Sequence, residues 1–399
     1  MKTTSHQQLA DETIETFYPH MVEVRRHMHV HPEPSGSEYE TTQFLAEELR
    51  RLGTRVRLGH DDRGVIADSP RDYKRLIVVR ADIDALHIQD AKQVDYASSV
   101  PNVMHACAHD AHSATILGVV RALRALEDAG AFGDDRGWRA IFQTAEETNK
   151  GAREMIAAGA LEGAEAALSL HMDPSRPVGT IAVREGALTA ICDEMYIDIQ
   201  GRGGHAARPH ESLDPIAAAA HLISTVYQFV PRQTDSHEAV VVSFGHINGG
   251  DNANVIPQSV TLRGTIRTLS ETVRRRTKDH IFQLARGLAE ASATEMKVEF
   301  VDGPPAVYND GEMNDLVCRA ADDVPECQQI DEIARPSMGG EDFAHYLKHV
   351  PGCMFRVGCS AAAIGCTPLH SPSFDVDERA MRVAAKIITR AVCNWATRD

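Results

Sequence analysis

The sequence predicts an α/β fold, a sheet with helices on its faces, interrupted by an inserted ferredoxin-like α+β unit. Three observations carry this. In the first half of the chain, apolar strand-like runs alternate with amphipathic helical stretches. From about residue 190 the order becomes strand, helix, strand, strand, helix, strand, which is that of a βαββαβ unit. A length of 399 residues exceeds what one core usually fills, so two domains are expected. After the break GPP at 303–305 the helix–strand pattern resumes. Residues 1–188 and 303–399 are therefore expected to form one domain and 189–302 the insertion.

The elements follow in order. Ser37 with Glu40 reads as a capping box, and Phe44, Leu45, Leu49 and Leu52 then recur at helical spacing up to Gly53. Residues 64–67 and 76–82 read as strands, the second apolar on successive positions as a strand buried on both faces would be. Ile116, Leu117, Val120, Leu123 and Leu126 mark one side of a helix. Strands at 138–143 and 166–171 flank a short helix at 153–160. In the insertion, residues 195–200 alternate apolar and polar, predicting one wet face. An Ala-rich helix at 214–230, strands at 240–244 and 260–266, a helix from Ser270 to about Ala291 and a strand at 296–300 complete it.

A formal charge of −16 argues against nucleic acid or an anionic membrane as the main partner. An anionic small substrate remains compatible, because bound divalent ions reverse the local field. No stretch approaches the ~20 apolar residues of a membrane span. The first 18 residues carry no apolar core, and the eight cysteines form no CxxC pair, so reduced thiols and a cytoplasmic location are expected.

The densest chemistry lies in MHACAHDAH (104–112). Thiolate and imidazole bind borderline transition metals well, and a thiolate can bridge two of them. A lone Cys-x-His would read as a polar helix start. Three histidines, Cys107 and Asp110 within eight residues turn the reading to metal. Cys107 and His109 can be aimed to one side by an extended segment or a turn, and Asp110 can hold an imidazole in place. Glu146 and Glu147 follow an apolar strand; beside a metal one can ligate while the other takes a proton from water. His171 and His370 are single histidines that gain weight only from this company. The glycine-rich loop around His205 could present a donor to an oxyanion or a carboxylate, with Asn254 as a second polar contact. His27, His29 and His31 would share a face on a strand, but no acid or cysteine completes a site there, so they are expected to be structural or on the surface.

Together these motifs resemble the amidohydrolase branch of the aminoacylase/carboxypeptidase family of dinuclear metallohydrolases, which includes hippurate, N-acyl-amino-acid and auxin-conjugate hydrolases. The resemblance runs along nearly the whole chain, through RRHMHVHPE (25–33), RADIDAL (80–86), MHACAHDAH (104–112), FQTAEE (142–147), GGHAARPH (203–210), NVIP (254–257), MGGEDF (338–343) and Leu369-His370. It implies a catalytic domain with a mixed sheet, and a lid and dimerisation role for the insertion. It implies two divalent ions, Zn, Mn, Ni or Co, held by Cys107, His109, Glu147, His171 and His370. Glu146 would be the general base, then the acid for the leaving amine. His205 would act on the partner subunit's site, with Asn254 and Glu341 as substrate-side groups and Asp84 and Asp110 in support. The implied substrate is an N-acyl amino acid, and the implied assembly a homodimer.

Three positions depart from the family pattern. Ala108 stands where relatives usually have Gly, Thr144 and His87 where they usually have Pro. Ala108 is harmless in ordinary backbone but strained at positive φ. Two rival readings remain at this stage: a deaminase of aromatic amines on the same scaffold, and a non-catalytic binding protein.

Overall fold

The computed structural model describes residues 2–361, 364 and 366–397. The chain forms two compact units: one comprises the residues up to Leu188, Val307–Arg335 and those from Asp342 on; the other is Thr189–Ala306 with Pro336–Glu341. The first stretch runs α1 (Lys2–Val30), α2 (Tyr39–Arg51), β1 (Arg55–Leu58), β2 (Val65–Asp68), β3 (Arg75–Asp82), α3 (His109–Asp128), β4 (Arg136–Gln143), α4 (Gly151–Ala157), β5 (Ala164–Pro177), β6 (Thr180–Val183) and β7 (Gly186–Ala187). The second unit adds β8 (Ile191–Gln200), β9 (Gly204–His205), α5 (Pro215–Gln233), β10 (Val240–Asn248), β11 (Val255–Ile256), β12 (Ser259–Thr268), α6 (Glu271–Ser292) and β13 (Glu295–Val301). The chain returns through β14 (Tyr308–Asn309), α7 (Gly311–Asp322), β15 (Gln329–Glu332), β16 (Gly352–Ser360) and α8 (Arg379–Ala396).

The first unit is built on an eight-stranded sheet in the order β1-β2-β4-β3-β5-β16-β6-β15. Its centre is parallel, β4 with β3, β3 with β5 and β5 with β16, while β1, β2 and the β16–β6 pair are antiparallel. The sheet is thus mixed. β3 is buried on both faces: Ile77 and Val79 join a core with Met21 and Val24 of α1, Leu117 and Val120 of α3 and Ile388 of α8. Val78 joins the opposite core, with Ile141, Phe343, Tyr346 and Met354. Continuous apolar runs follow from this two-sided burial. α1 and α3 approach closely, since a side chain at Gly118 would begin 2.6 Å from the Met21 sulfur.

Two local expectations need correction. The capping box does not form, because α2 starts two residues beyond Ser37. The Glu33 carboxylate accepts from the Glu40 and Thr41 N–H groups at 3.2 and 2.7 Å and fills that role. His27, His29 and His31 sit at the end of α1 and just beyond it rather than on a strand, so His29 leaves the side on which the His27 and His31 rings lie 4.9 Å apart. His27 stacks on Phe44, whereas His29 is fully buried.

The second unit carries a four-stranded antiparallel sheet, β10-β12-β8-β13. α5 and α6 pack on one face through Leu222, Val226, Ile281 and Ala285 against Met195, Ile197, Ile199 and Leu262. The Asp214 carboxylate caps α5 by accepting from the Ile216 and Ala217 N–H groups, and the Ser270 hydroxyl caps α6 by accepting from Val273 N–H. Burial alternates along β8, as its sequence predicts. Among the described residues no helix is long and apolar enough to cross a membrane.

Candidate metal centre

The C-terminal ends of the parallel strands β3, β4 and β5 deliver the chemistry, as expected of an α/β sheet. Asp82 ends β3 and Asp84 follows it; beyond β4 a turn carries Glu146 and Glu147. His171 lies in β5 two residues past Ser169, the last residue that pairs with β3, so one side of it is released from the sheet. Cys107 precedes α3 and His109 is its first residue, joined by Ala108 at φ 69°. A turn, not an extended segment, therefore aims the pair. Ala145 at φ 52° and His370 at φ 61° repeat this left-handed backbone beside Glu146 and in the last loop. For an L-residue such a conformation costs roughly 1–3 kcal/mol, and it recurs where geometry is imposed by a site. The His370 N–H donates to Ala106 O at 2.8 Å, clipping its loop to the Cys107 segment.

The five predicted ligands converge. Cys107 Sγ lies 3.5 Å from His171 Nε2. Glu147 Oε1 lies 3.5 Å from His370 Nε2 and 3.9 Å from His109 Nε2. Donor atoms of Cys107, His109 and Glu147 all fall within 4.8 Å of one another. The ring orientations suit cation binding. His109 donates from Nδ1 to Asp84 O and Oδ1 at 2.9 and 3.1 Å, and His171 donates from Nδ1 to Met172 O at 2.8 Å. In each case Nε2 is the ring nitrogen left to face the other donors. Glu147 Oε1 is buried without a well-formed hydrogen bond among the described residues. A thiol, three imidazoles and an orphaned carboxylate oxygen make a donor set that fits divalent transition metals.

Electrostatics agree. Burial works against charge on His109, but Asp82, Cys107 and Asp84 outweigh it and push its pKa well up. The Glu147 carboxylate raises that of His370 against partial burial. Burial, reinforced by Glu147, pushes the Cys107 thiol up. Burial holds His171 well down, with Arg356 and His112 adding to it. The pocket therefore draws positive charge to the edge that Asp82, Cys107 and Glu147 share.

Supporting residues divide. Asp84 ties the centre together, since its Oδ2 also accepts from Ser35 Oγ at 2.6 Å and Glu147 N–H at 3.0 Å. Asp110 does hold an imidazole, but that of His29 at 2.7 Å, along with Arg25 Nε at 2.9 Å. Adjacent helical positions point about 100° apart, so His109 and Asp110 cannot serve the same spot. His112 is fully committed: Nδ1 donates to Asp82 at 2.7 Å and Nε2 accepts from Met172 N–H at 3.0 Å. Of the departures, Thr144 is buried and His87 exposed.

Sequence reasoning missed a buried polar cluster behind Glu146. Arg80 donates to Asp82, Gln143 and Asp342 at 2.8–2.9 Å. Gln143 Nε2 and Ala152 N–H also donate to the Asp342 carboxylate, and Asp342 N–H points at Glu146 Oε1 from 3.4 Å. The readable signal was Arg80, a charge inside an apolar strand that had to find acceptors.

In the second unit, β9 pairs with β11 so that His205 faces Val255, and Ala206 N–H donates to Asn254 O at 3.0 Å. His205 and Asn254 thus share one exposed corner. His205 Nδ1 accepts from Ala207 N–H at 3.1 Å, which leaves its Nε2–H to solvent. Glu341 is buried and ends the Pro336–Glu341 segment of this unit.

This scaffold and donor set define the class, a metal-dependent hydrolase. The chain belongs to the family described as Peptidase family M20/M25/M40, which matches residues 78–394. It is 37% identical over 371 residues to the N-acetyl-L-cysteine deacetylase of Bacillus subtilis, covering 92% of this chain and 86% of that protein. It is 32% identical over 378 residues to an IAA-amino acid hydrolase of Arabidopsis thaliana, covering 93% and 84%. The crystal structure of a dinuclear metal-binding M20 peptidase from Bacillus subtilis matches with a TM-score of 0.81 and 33% identity, covering 96% of this chain and 99% of that one. The chain is a metal-dependent hydrolase of amide bonds.

Proposed function

We propose that the protein cleaves the amide bond of an N-acyl amino acid, with Cys107, His109, Glu147, His171 and His370 holding two divalent cations and Glu146 handling the protons. The observation that carries this reading is the convergence of those five donors, drawn from four segments, beside a second carboxylate that is not needed as a ligand. The two relatives compared above are named for an acetylated amino acid and for an amino acid conjugate, which supports the substrate class.

Divalent cations held by these five residues would supply Lewis acidity for the scissile carbonyl and for water near neutral pH. Glu146, buried at the end of the β4 turn, takes the proton from the attacking water and returns it to the departing nitrogen. The Asp342 N–H and the arginine-anchored cluster behind it hold that carboxylate in one orientation. His205 donates from Nε2 to the developing oxyanion. Asn254 and Glu341 are assigned to substrate binding.

The Thr189–Ala306 unit serves in this reading as lid and dimerisation domain, and His205 acts on the partner's centre in a homodimer. What supports it is exposure: His205 stands in solvent, β10 is an edge strand, and Val241 and Ile247 on it and Tyr227 and Phe229 on α5 are exposed apolar side chains. A cytoplasmic location suits eight unpaired cysteines.

The test is metal analysis of purified protein together with a panel of acetyl, benzoyl, indoleacetyl and aminobenzoyl amino acids, scored for free amino acid. Ammonia from aromatic amines with a blank acyl panel would overturn the substrate class. Mixing inactive His205→Ala and Glu146→Gln proteins restores activity if His205 acts in trans; no recovery on mixing excludes that arrangement.

A further inference from the structure

Arg356 is out of keeping with the arginines around it. Arg25 meets Asp110, Asp375 and Glu378, Arg80 meets Asp82 and Asp342, and Arg139 meets Asp68. Arg356 is half-buried in β16, yet makes neither an ion pair nor a hydrogen bond among the described residues. Its position makes this consequential. On the parallel neighbour β5 its register partner is His171, the imidazole that approaches Cys107. Directly paired residues leave the same face of a sheet, on strands about 4.8 Å apart. The guanidinium therefore leaves the sheet on the same face as His171, beside the donor cluster. On its other flank the register partner is Ala182, which adds only a methyl group.

An uncompensated cation next to a site for two divalent cations is unfavourable by simple repulsion. The arrangement makes sense when an anion arrives with the substrate. A guanidinium on a rigid strand suits a carboxylate, which it grips with two parallel hydrogen bonds. We propose that Arg356 binds a carboxylate of the substrate, beyond the scissile amide and on the β16 side of the metal centre. The inference rests on the amidohydrolase reading and adds a specificity-determining residue to it. The carboxylate has two possible sources, the α-carboxylate of the amino acid or an acidic side chain.

Two substrate pairs separate the sources: N-acetylmethionine against its carboxamide, and N-acetylglutamate against N-acetylglutamine. The metal-loaded wild type is expected to favour the carboxylate member of one pair by about tenfold to a hundredfold in KM, the scale of a charged hydrogen-bonded contact. Arg356→Leu abolishes that preference with little change in kcat, and Arg356→Lys keeps part of it. Metal content and melting temperature report folding, and Arg356→Gln, which keeps the stem and loses the charge, replaces the leucine variant if that one misfolds. A preference that survives loss of the charge overturns the proposal, as does an equal loss of turnover for acid and amide. Calorimetry of the same carboxylates with wild type and Arg356→Gln keeps the two readings apart. If nothing is hydrolysed but carboxylates bind only with Arg356 present, the substrate reading fails and the anion site stands; equal binding by both proteins removes it.

Discussion

The two units treat their polar residues in opposite ways. In the first, charged and imidazole groups are buried and held: His109 by Asp84, His112 by Asp82 and a backbone N–H, Arg80 by three acceptors. In the second, the interior between sheet and helices is apolar, and His205 is exposed with a donor free in solvent. Its main buried acid, Asp193, is neutralised by Arg274 and Lys278 at 2.7 Å rather than kept for chemistry. The contrast shows what each job demands. Groups that confront compact cations must be oriented beforehand, because reorganising dipoles at the moment of reaction is costly. In the function proposed above, His205 meets the substrate only when it binds and can wait in water.

The largest expected effect tests the proton-handling role in the first unit. Glu146→Gln lowers turnover by about 10²–10⁴ while metal stoichiometry stays at the wild-type value. Parallel loss of metal would place Glu146 among the ligands instead. Next comes the exposed unit: His205→Ala lowers kcat by about 10²–10³ without changing metal content or melting temperature. A drop in metal affinity there would break the division of labour between the units.

Burial itself can be titrated. His105 is 1% exposed, neither ring nitrogen has a hydrogen-bond partner among the described residues, and burial lowers its pKa to about 4. That lies below the ~6.5 of an unfolded histidine. The stability it contributes is therefore complete above about pH 6.5 and is lost as pH falls towards 4, on the order of 3 kcal/mol in all. Denaturant titrations of the metal-free protein across this range should show that loss, and His105→Gln should flatten it; superimposable profiles would refute the assignment. The smallest effect concerns strain. Ala108→Gly relieves the left-handed φ and should stabilise the protein by about 1 kcal/mol, less whatever the more flexible unfolded chain takes back. A destabilised glycine variant would show that the surrounding packing favours the alanine.

Legibility in the sequence followed the range of each interaction. The MHACAHDAH run, the Glu146-Glu147 pair and the strand at 76–82 announce themselves locally, because ligand type and apolar periodicity are written in neighbouring residues. His171 and His370 carried no local signal and came from motif order alone. Asp110 was read as holding an imidazole, but which one was not legible, because its partner His29 lies 81 residues away on another helix. The Arg80–Gln143–Asp342 cluster escaped for the same reason, Asp342 being 262 positions from Arg80.

By itself the sequence determined the class of chemistry and the alternation of elements, since both depend on residue type and short-range spacing. Tertiary structure decided which lone pairs face the metal centre, that Ala108 sits in left-handed backbone, and that an arginine without an acid stands beside His171. Those facts depend on which strands become neighbours, and strand pairing is settled by burial across the whole sheet rather than by any segment within it.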